Sequence, residues 1–252
     1  MNTMANKKLF YYFIGIELIL YFTFIILDVF GVYSTSGVIK FVSILLCLVM
    51  SIVIQLRSER FLDRVMLSIA LSFTVFADIF LLFTDDYVIG VCCFSVVQIL
   101  YLVRIVNMKG EVGRIEGRIR SRNLYRKGKR LFLEQFIIRI FISCVIVGIL
   151  LVIKFPVDTL FGITTFYFIS FICNIILVFK IRAKSHYFHG DIRLGLFWGG
   201  LVLFFCCDIM VGIFNAAGYV PLQEDIYRTL YQVSSIGMWV FYLPGQVMIT
   251  LS

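Results

Sequence analysis

Residues 62–83 read LDRVMLSIALSFTVFADIFLLF. Beyond Asp63 and Arg64 the only charged residue in this stretch is Asp78. At about 1.5 Å of rise per residue, a helix of this length crosses the roughly 30 Å of hydrocarbon in a bilayer. The apolar run is continuous and lacks the period-two alternation of a membrane strand. The stretch therefore predicts a membrane-spanning helix with an acid inside it. A carboxylate at such a depth costs about 2.5–3.5 kcal/mol on insertion scales, so its presence needs a reason.

Seven further stretches share this character. Apolar segments run over 9–30, 38–56, 62–83, 87–107, 132–153, 159–179, 192–214 and 230–251. The 252 residues are 61% hydrophobic and 15% charged, with a mean hydropathy of +1.00. These values exclude a water-soluble domain of this size. The expectation is an all-α, polytopic membrane protein, with residues 1–252 forming a single integral membrane domain of eight transmembrane helices. The first segment is too long for a signal-peptide core, and no small-residue cleavage site follows it. The stretch 108–131 is polar and basic, and is expected as a cytoplasmic loop or a helical extension.

The net charge of +8 is unevenly distributed. Lys7 and Lys8, then Arg57, Arg60 and Arg64, nine basic residues between Lys109 and Arg130, and Lys180, Arg182, Lys184 and Arg193 all fall on one side. The opposite connections hold Lys154 and Arg228 among Asp85, Asp86, Asp158, Glu224 and Asp225. The positive-inside rule then puts both termini in the cytoplasm, with the plasma membrane as the expected location. Because the basic residues follow topology, they give no ground for a nucleic-acid partner.

Depth and helical phase locate the remaining polar groups. The third and seventh segments both run outward, which places Asp78 and Asp208 at similar levels in the outer half. Lys40 begins the second segment and Asp28 ends the first on that same side. Residues three, four, seven and eleven apart share a helix face. Glu17, Tyr21 and Asp28 make one stripe. Others are Lys40, Ser43, Cys47 and Ser51; Thr74 and Asp78; Ser95, Gln98 and Tyr101; Tyr167, Ser170 and Asn174; Ser235, Trp239, Tyr242 and Gln246. Lipid satisfies no donor or acceptor, so the stripes are expected to face inward around a polar internal cavity. The simpler alternative is a set of packing seams tied by interhelical hydrogen bonds, and for the serines alone that alternative is the stronger one.

The local text also repeats. Phe76-Ala77-Asp78-Ile79 is echoed by Cys206-Cys207-Asp208-Ile209, and Gln98 with Tyr101 by Gln246 with Tyr242. A parallel four-helix repeat would produce this echo. Two carboxylates in one cavity can divide the labour of acid and base when their surroundings differ. A protonated carboxyl can deliver its proton to an enol ether carbon, and an ionised one can steady the resulting oxocarbenium ion or activate water. The pair therefore suits cleavage of a lipid vinyl ether. No HExxH, GxSxG or phosphate-binding glycine loop is present. His186 and His189 are too few to make a metal site, and the seven cysteines lie in apolar segments without metal or redox spacing. No metal and no cofactor is expected.

The motifs resemble the YhhN-like lysoplasmalogenase family of eight-span membrane proteins. The matching text is Val38-Ile39-Lys40, Phe76-Ala77-Asp78-Ile79-Phe80-Leu81-Leu82, Gln98-Ile99-Leu100-Tyr101, Gly199-Gly200 through Cys207-Asp208, and Tyr242-Leu243-Pro244-Gly245-Gln246. The resemblance implies hydrolysis of the vinyl ether bond of a lysoplasmalogen, a lysophospholipid, to a fatty aldehyde and a glycerophospho-base. It implies Asp78 and Asp208 as the catalytic pair, and Lys40, Gln98, Tyr101, Tyr242 and Gln246 as groups that bind or orient the substrate among the surrounding membrane lipids. The chain departs from the pattern at Phe41, where the family usually has proline, and at Gln98, where it commonly has histidine. A membrane transporter and a non-catalytic lipid-binding protein are the alternative functions.

Overall fold

The computed structural model of the chain describes residues 4–56, 61–115, 121–184, 192–216 and 223–252. Its helices are α1 (Met4–Val29), α2 (Tyr33–Leu56), α3 (Phe61–Ile79), α4 (Tyr87–Ile115), α5 (Ser121–Val152), α6 (Thr159–Lys184), α7 (Ile192–Ala216) and α8 (Glu224–Leu251). A π-helical turn, Phe80–Thr84, continues α3. Among the described residues these eight helices are each long and apolar enough to cross a membrane, so the protein is an all-helical integral membrane protein. Helix occupies 108–115 and 121–131 within the basic stretch.

Local chemistry fixes the helix ends. Gly31, at φ 74°, sits just past α1; its N–H donates to Asp28 O and the Val32 N–H to Leu27 O. That pair of bonds is the Schellman stop, and glycine adopts its left-handed residue without steric cost. Lys154 makes the same stop after α5 at φ 59°, with N–H bonds from Lys154 to Leu151 O and from Phe155 to Leu150 O. Asp86 and Asp158, counted from sequence as outer-side acids, work as N-caps. Asp86 Oδ1 accepts the Ile89 N–H at 3.2 Å, and Asp158 Oδ1 accepts the Phe161 N–H at 2.7 Å.

The chain forms two compact units, residues 1–50 with 195–252, and residues 51–194. The grouping joins α1 and α2 to α7 and α8, and keeps α3 to α6 together. It differs from the first-four and last-four halves in which the motif echo was read.

Lipid is as apolar as leucine, so helices in a bilayer associate through close packing and hydrogen bonds. In the first unit, α7 and α8 approach backbone to backbone. A Cβ on Gly200 would lie 2.8 Å from Gly245 O, and one on Gly245 would lie 3.1 Å from Gly200 O and from Phe204 N. In the second unit, α4 packs against α3, α5 and α6. Two polar ties reinforce it. Ser51 and Ser68 hydroxyls meet at 2.6 Å. Arg104 grips Asp63 through Nε at 2.9 Å and Nη2 at 3.3 Å, the two-pronged geometry that suits guanidinium and carboxylate.

Candidate functional site

The first unit holds Lys40, Asp208, Tyr242 and Gln246 of the expected site. Asp28 and Lys40 stand near the ends of α1 and the start of α2, on either side of the Gly31 turn. Their side chains form a buried ion pair, with Lys40 Nζ 2.7 Å from Asp28 Oδ2. Lys40 Nζ also lies 4.8 Å from the Trp239 ring centre and 5.4 Å from that of Phe24. Aromatic faces attract a cation, so α1, α2 and α8 together enclose this charge. The sequence expected Lys40 at the level of three carboxylates; the carboxylate it meets is Asp28.

Deeper along the pair, about three turns from Asp28 on α1 and one to two turns past Lys40 on α2, the two helices meet again at Glu17. Its carboxyl is hydrogen-bonded to the Ser43 hydroxyl, and Cys47 Sγ lies 3.6 Å from Glu17 Oε1. Glu17, Ser43 and Cys47 are all buried. On α8, Tyr242 packs against Trp239 and Phe204, with ring centres 5.4 and 5.3 Å apart. Gln246, one turn on, is fully buried. Neither its amide nitrogen nor its amide oxygen has a hydrogen-bond partner among the described residues. Asp208 sits half-buried on α7.

The second unit holds Asp78, Gln98 and Tyr101. Asp78 is 2% exposed and lies in the last turn of α3, immediately before the π-helical turn. In that turn Phe80 O accepts from the Asp85 and Asp86 N–H groups and from Thr84 Oγ1. Thr74 shares the Asp78 face, but its hydroxyl donates back to Ala70 O at 3.1 Å. π-turns recur at functional sites because they re-aim side chains within a helix.

Gln98 belongs to a buried network. Asn174 Nδ2 donates to Gln98 Oε1 and to Gln98 O, both at 2.9 Å. Arg139 Nη2 donates to Asn174 Oδ1 at 2.8 Å. Tyr101, one turn along α4 from Gln98, is fully buried. Thus α4, α5 and α6 converge on Gln98, Asn174 and Arg139. The Arg139 contribution was missed from sequence. Its signal was available, because Arg139 is the only charged residue after Glu134 in the segment 132–153.

Most of the polar stripes read from helical phase are buried, including Lys40 to Ser51, Thr74 with Asp78, Ser95 to Tyr101 and Tyr167 to Asn174. On α8 the phase is shifted by one residue at the outer end: Ser234 is buried and Ser235 is not. Asp78 and Asp208 belong to different units. Among the described residues no group of three or more His, Cys, Asp or Glu could hold a metal ion; His186 and His189 lie outside the described residues.

A comparison with protein families matches residues 36–252 to the YhhN family. The chain belongs to the YhhN family. The match takes in Lys40, Asp78, Gln98, Tyr101, Asp208, Tyr242 and Gln246, and it begins after α1. This YhhN family member therefore draws Asp28, the partner of Lys40, from a helix outside the matched region. No curated protein and no solved structure matches the chain.

Proposed function

We propose that this chain is a membrane-embedded lipid hydrolase that cleaves the vinyl ether bond of a lysoplasmalogen with water, releasing a fatty aldehyde and a glycerophospho-base. Membership of the YhhN family supports the reading. The observation that carries it is Asp78, an almost wholly buried carboxyl inside a spanning helix, set at the start of a π-turn. Intramembrane acids are costly and mark chemistry or transport.

The reaction needs one proton given to carbon and one taken from water. A carboxylic acid protonates the alkenyl carbon remote from the oxygen, and the neighbouring carbon becomes an oxocarbenium ion. A carboxylate draws a proton from water as the water adds there, which gives a hemiacetal. The hemiacetal carbon–oxygen bond then breaks to aldehyde and alcohol, and the proton inventory closes. The family resemblance assigns these two parts to Asp78 and Asp208. The almost wholly buried Asp78 is assigned the acid and the half-buried Asp208 the base.

The other residues bind and orient. Tyr101, Tyr242 and the amides of Gln98 and Gln246 offer donors to water and to the ether oxygen. An ammonium has three N–H donors; Lys40 gives one to Asp28 and has others for a lipid phosphate. The substrate is a lysophospholipid drawn from the surrounding membrane, in a plasma-membrane protein with both termini in the cytoplasm. No cofactor enters this scheme, and nucleic acid is no partner.

Purified protein given an alkenyl lysophospholipid should release fatty aldehyde, and the matched saturated ether lysolipid should stay intact. Asp78→Asn and Asp208→Asn should each lower the rate about 10²–10⁴-fold, the usual span for general acid–base groups. Absence of aldehyde from correctly folded protein, with lysolipid flux into sealed vesicles, would point to a carrier instead.

A further inference from the structure

Arg139 sits midway along the α5 span Arg126–Val152 and is 1% exposed. A guanidinium stays charged under all ordinary conditions, and a charge taken to that depth needs an anionic partner or dense hydrogen bonding. Arg139 has little of either. Nη2 donates to the neutral Asn174 amide at 2.8 Å, and the Cys173 thiol is a second, weak hydrogen-bond partner of the guanidinium. Nε and Nη1 are buried without a hydrogen-bond partner among the described residues.

The neighbouring amides share this imbalance. Asn174 donates through Nδ2 to Gln98 and accepts from Arg139 at Oδ1, so each amide oxygen already holds one donor. Gln98 Nε2 is left buried and without a partner. The unpartnered atoms of Arg139 and Gln98 are all donors: two nitrogens on a cation and one on a carboxamide. All are held on α4, α5 and α6 inside one unit. A donor-only cluster around a positive charge is complementary to an anion and to nothing cationic. Guanidinium presents adjacent N–H groups in the fork that matches carboxylate and phosphate oxygens.

We infer that Arg139, Gln98 and Asn174 form a buried binding site for an anionic group, phosphate or carboxylate, carried by an amphiphile. Place adds a second constraint: Arg139 lies midway along a membrane-spanning helix, at acyl-chain depth, so an anion that reaches it arrives with an apolar tail. This site uses none of the groups that would move protons and shares only Gln98 with the vinyl ether reading; anion binding is read without turnover, so the two can fail separately.

The test uses the full chain purified in an uncharged maltoside detergent. The probes are an oleoyl lysophosphatidic acid, oleate, inorganic phosphate and, as an uncharged control, monoolein. Affinity is read from the dependence of the thermal midpoint on probe concentration and from native mass spectrometry. The lipid anions should bind saturably and monoolein should not. Arg139→Gln should weaken anion binding about tenfold or more, in keeping with the strength of charge-assisted hydrogen bonds. Gln98→Leu should weaken it several-fold, and Arg139→Lys, which keeps the charge and loses the fork, by an intermediate factor. Saturable binding of inorganic phosphate with the same mutant pattern would show that the site takes the anion without its chain. Lipid anions that stabilise no more than monoolein would overturn the inference. So would Arg139→Gln with unchanged affinity or, where that variant fails to fold, unchanged affinity in both Arg139→Lys and Gln98→Leu.

Discussion

The Tyr21 hydroxyl donates to the backbone carbonyl of Val240 at 3.3 Å, across from α1 to α8. Pro244 stands four residues after Val240 inside α8. In a regular helix the N–H at that position would close the bond to Val240 O, and proline has none to offer. An open carbonyl in a membrane must find a donor from a neighbouring helix, and Tyr21 supplies it. Tyr21→Phe should therefore lower unfolding stability by about 1 kcal/mol, the ordinary net value of a hydrogen bond. In a Pro244→Ala background the alanine N–H takes the carbonyl, so the same substitution should cost much less. A double-mutant cycle on the purified protein reads the coupling; additive effects would show that the tyrosine bond does not answer the proline.

The Asp28–Lys40 pair predicts an asymmetry. Lys40→Met leaves the Asp28 carboxylate buried without its cation, and Asp28→Asn strands the ammonium between the Phe24 and Trp239 rings. Breaking one side of a buried pair costs about 3–5 kcal/mol, whereas removing both charges is far milder. The combined Asp28→Asn and Lys40→Met variant should therefore be more stable than either single variant. Chemical unfolding of the three proteins in mixed micelles measures this, and a double variant weaker than both singles would contradict it.

Close approach of α7 and α8 makes Gly200 intolerant. An added methyl would meet the Gly245 carbonyl and the Ile249 backbone nitrogen at 2.8 and 3.0 Å. Backbone cannot step aside as a side chain can, so Gly200→Ala should cost at least the 1–3 kcal/mol typical of overpacking. Gly212 on the same helix faces open space. Gly212→Ala should be neutral or gain up to about 1 kcal/mol from helix propensity. Thermal midpoints of the two variants, which differ only in position, separate packing from propensity.

Much of this architecture was readable before any coordinates. Eight apolar lengths gave eight spans, because crossing hydrocarbon is a one-dimensional constraint written directly in sequence. The level shared by Asp28 and Lys40 was also readable, since both stand at the same end of consecutive helices. The pairing itself needed only the short turn at Gly31. Other features depend on three-dimensional convergence. Arg139 finds Asn174 and Gln98 only because α4, α5 and α6 pack together, and no spacing within α5 announces that. The π-turn after Asp78 is also silent in sequence, since FLLFT reads as ordinary helix. The role of Tyr21 becomes visible only when α1 is laid against the α8 carbonyl that Pro244 leaves open.

The proposed hydrolysis makes a prediction about where solvent hydrogen goes. If a carboxylic acid protonates the alkenyl carbon, the proton it delivers exchanges with water before each turnover. Reaction in D₂O should then place one deuterium on the carbon next to the aldehyde group, and should run several-fold slower if that transfer limits the rate. Rapid trapping of the aldehyde as an oxime prevents later exchange at the same carbon, and mass spectrometry counts the label. Aldehyde without deuterium would rule out protonation at carbon, and with it the acid role given to Asp78, even if the lipid is cleaved. One deuterium per molecule, with the slowed rate seen also in Asp208→Asn, would separate the proton given to carbon from the proton taken from water. That outcome would assign the first to Asp78 by elimination within the pair.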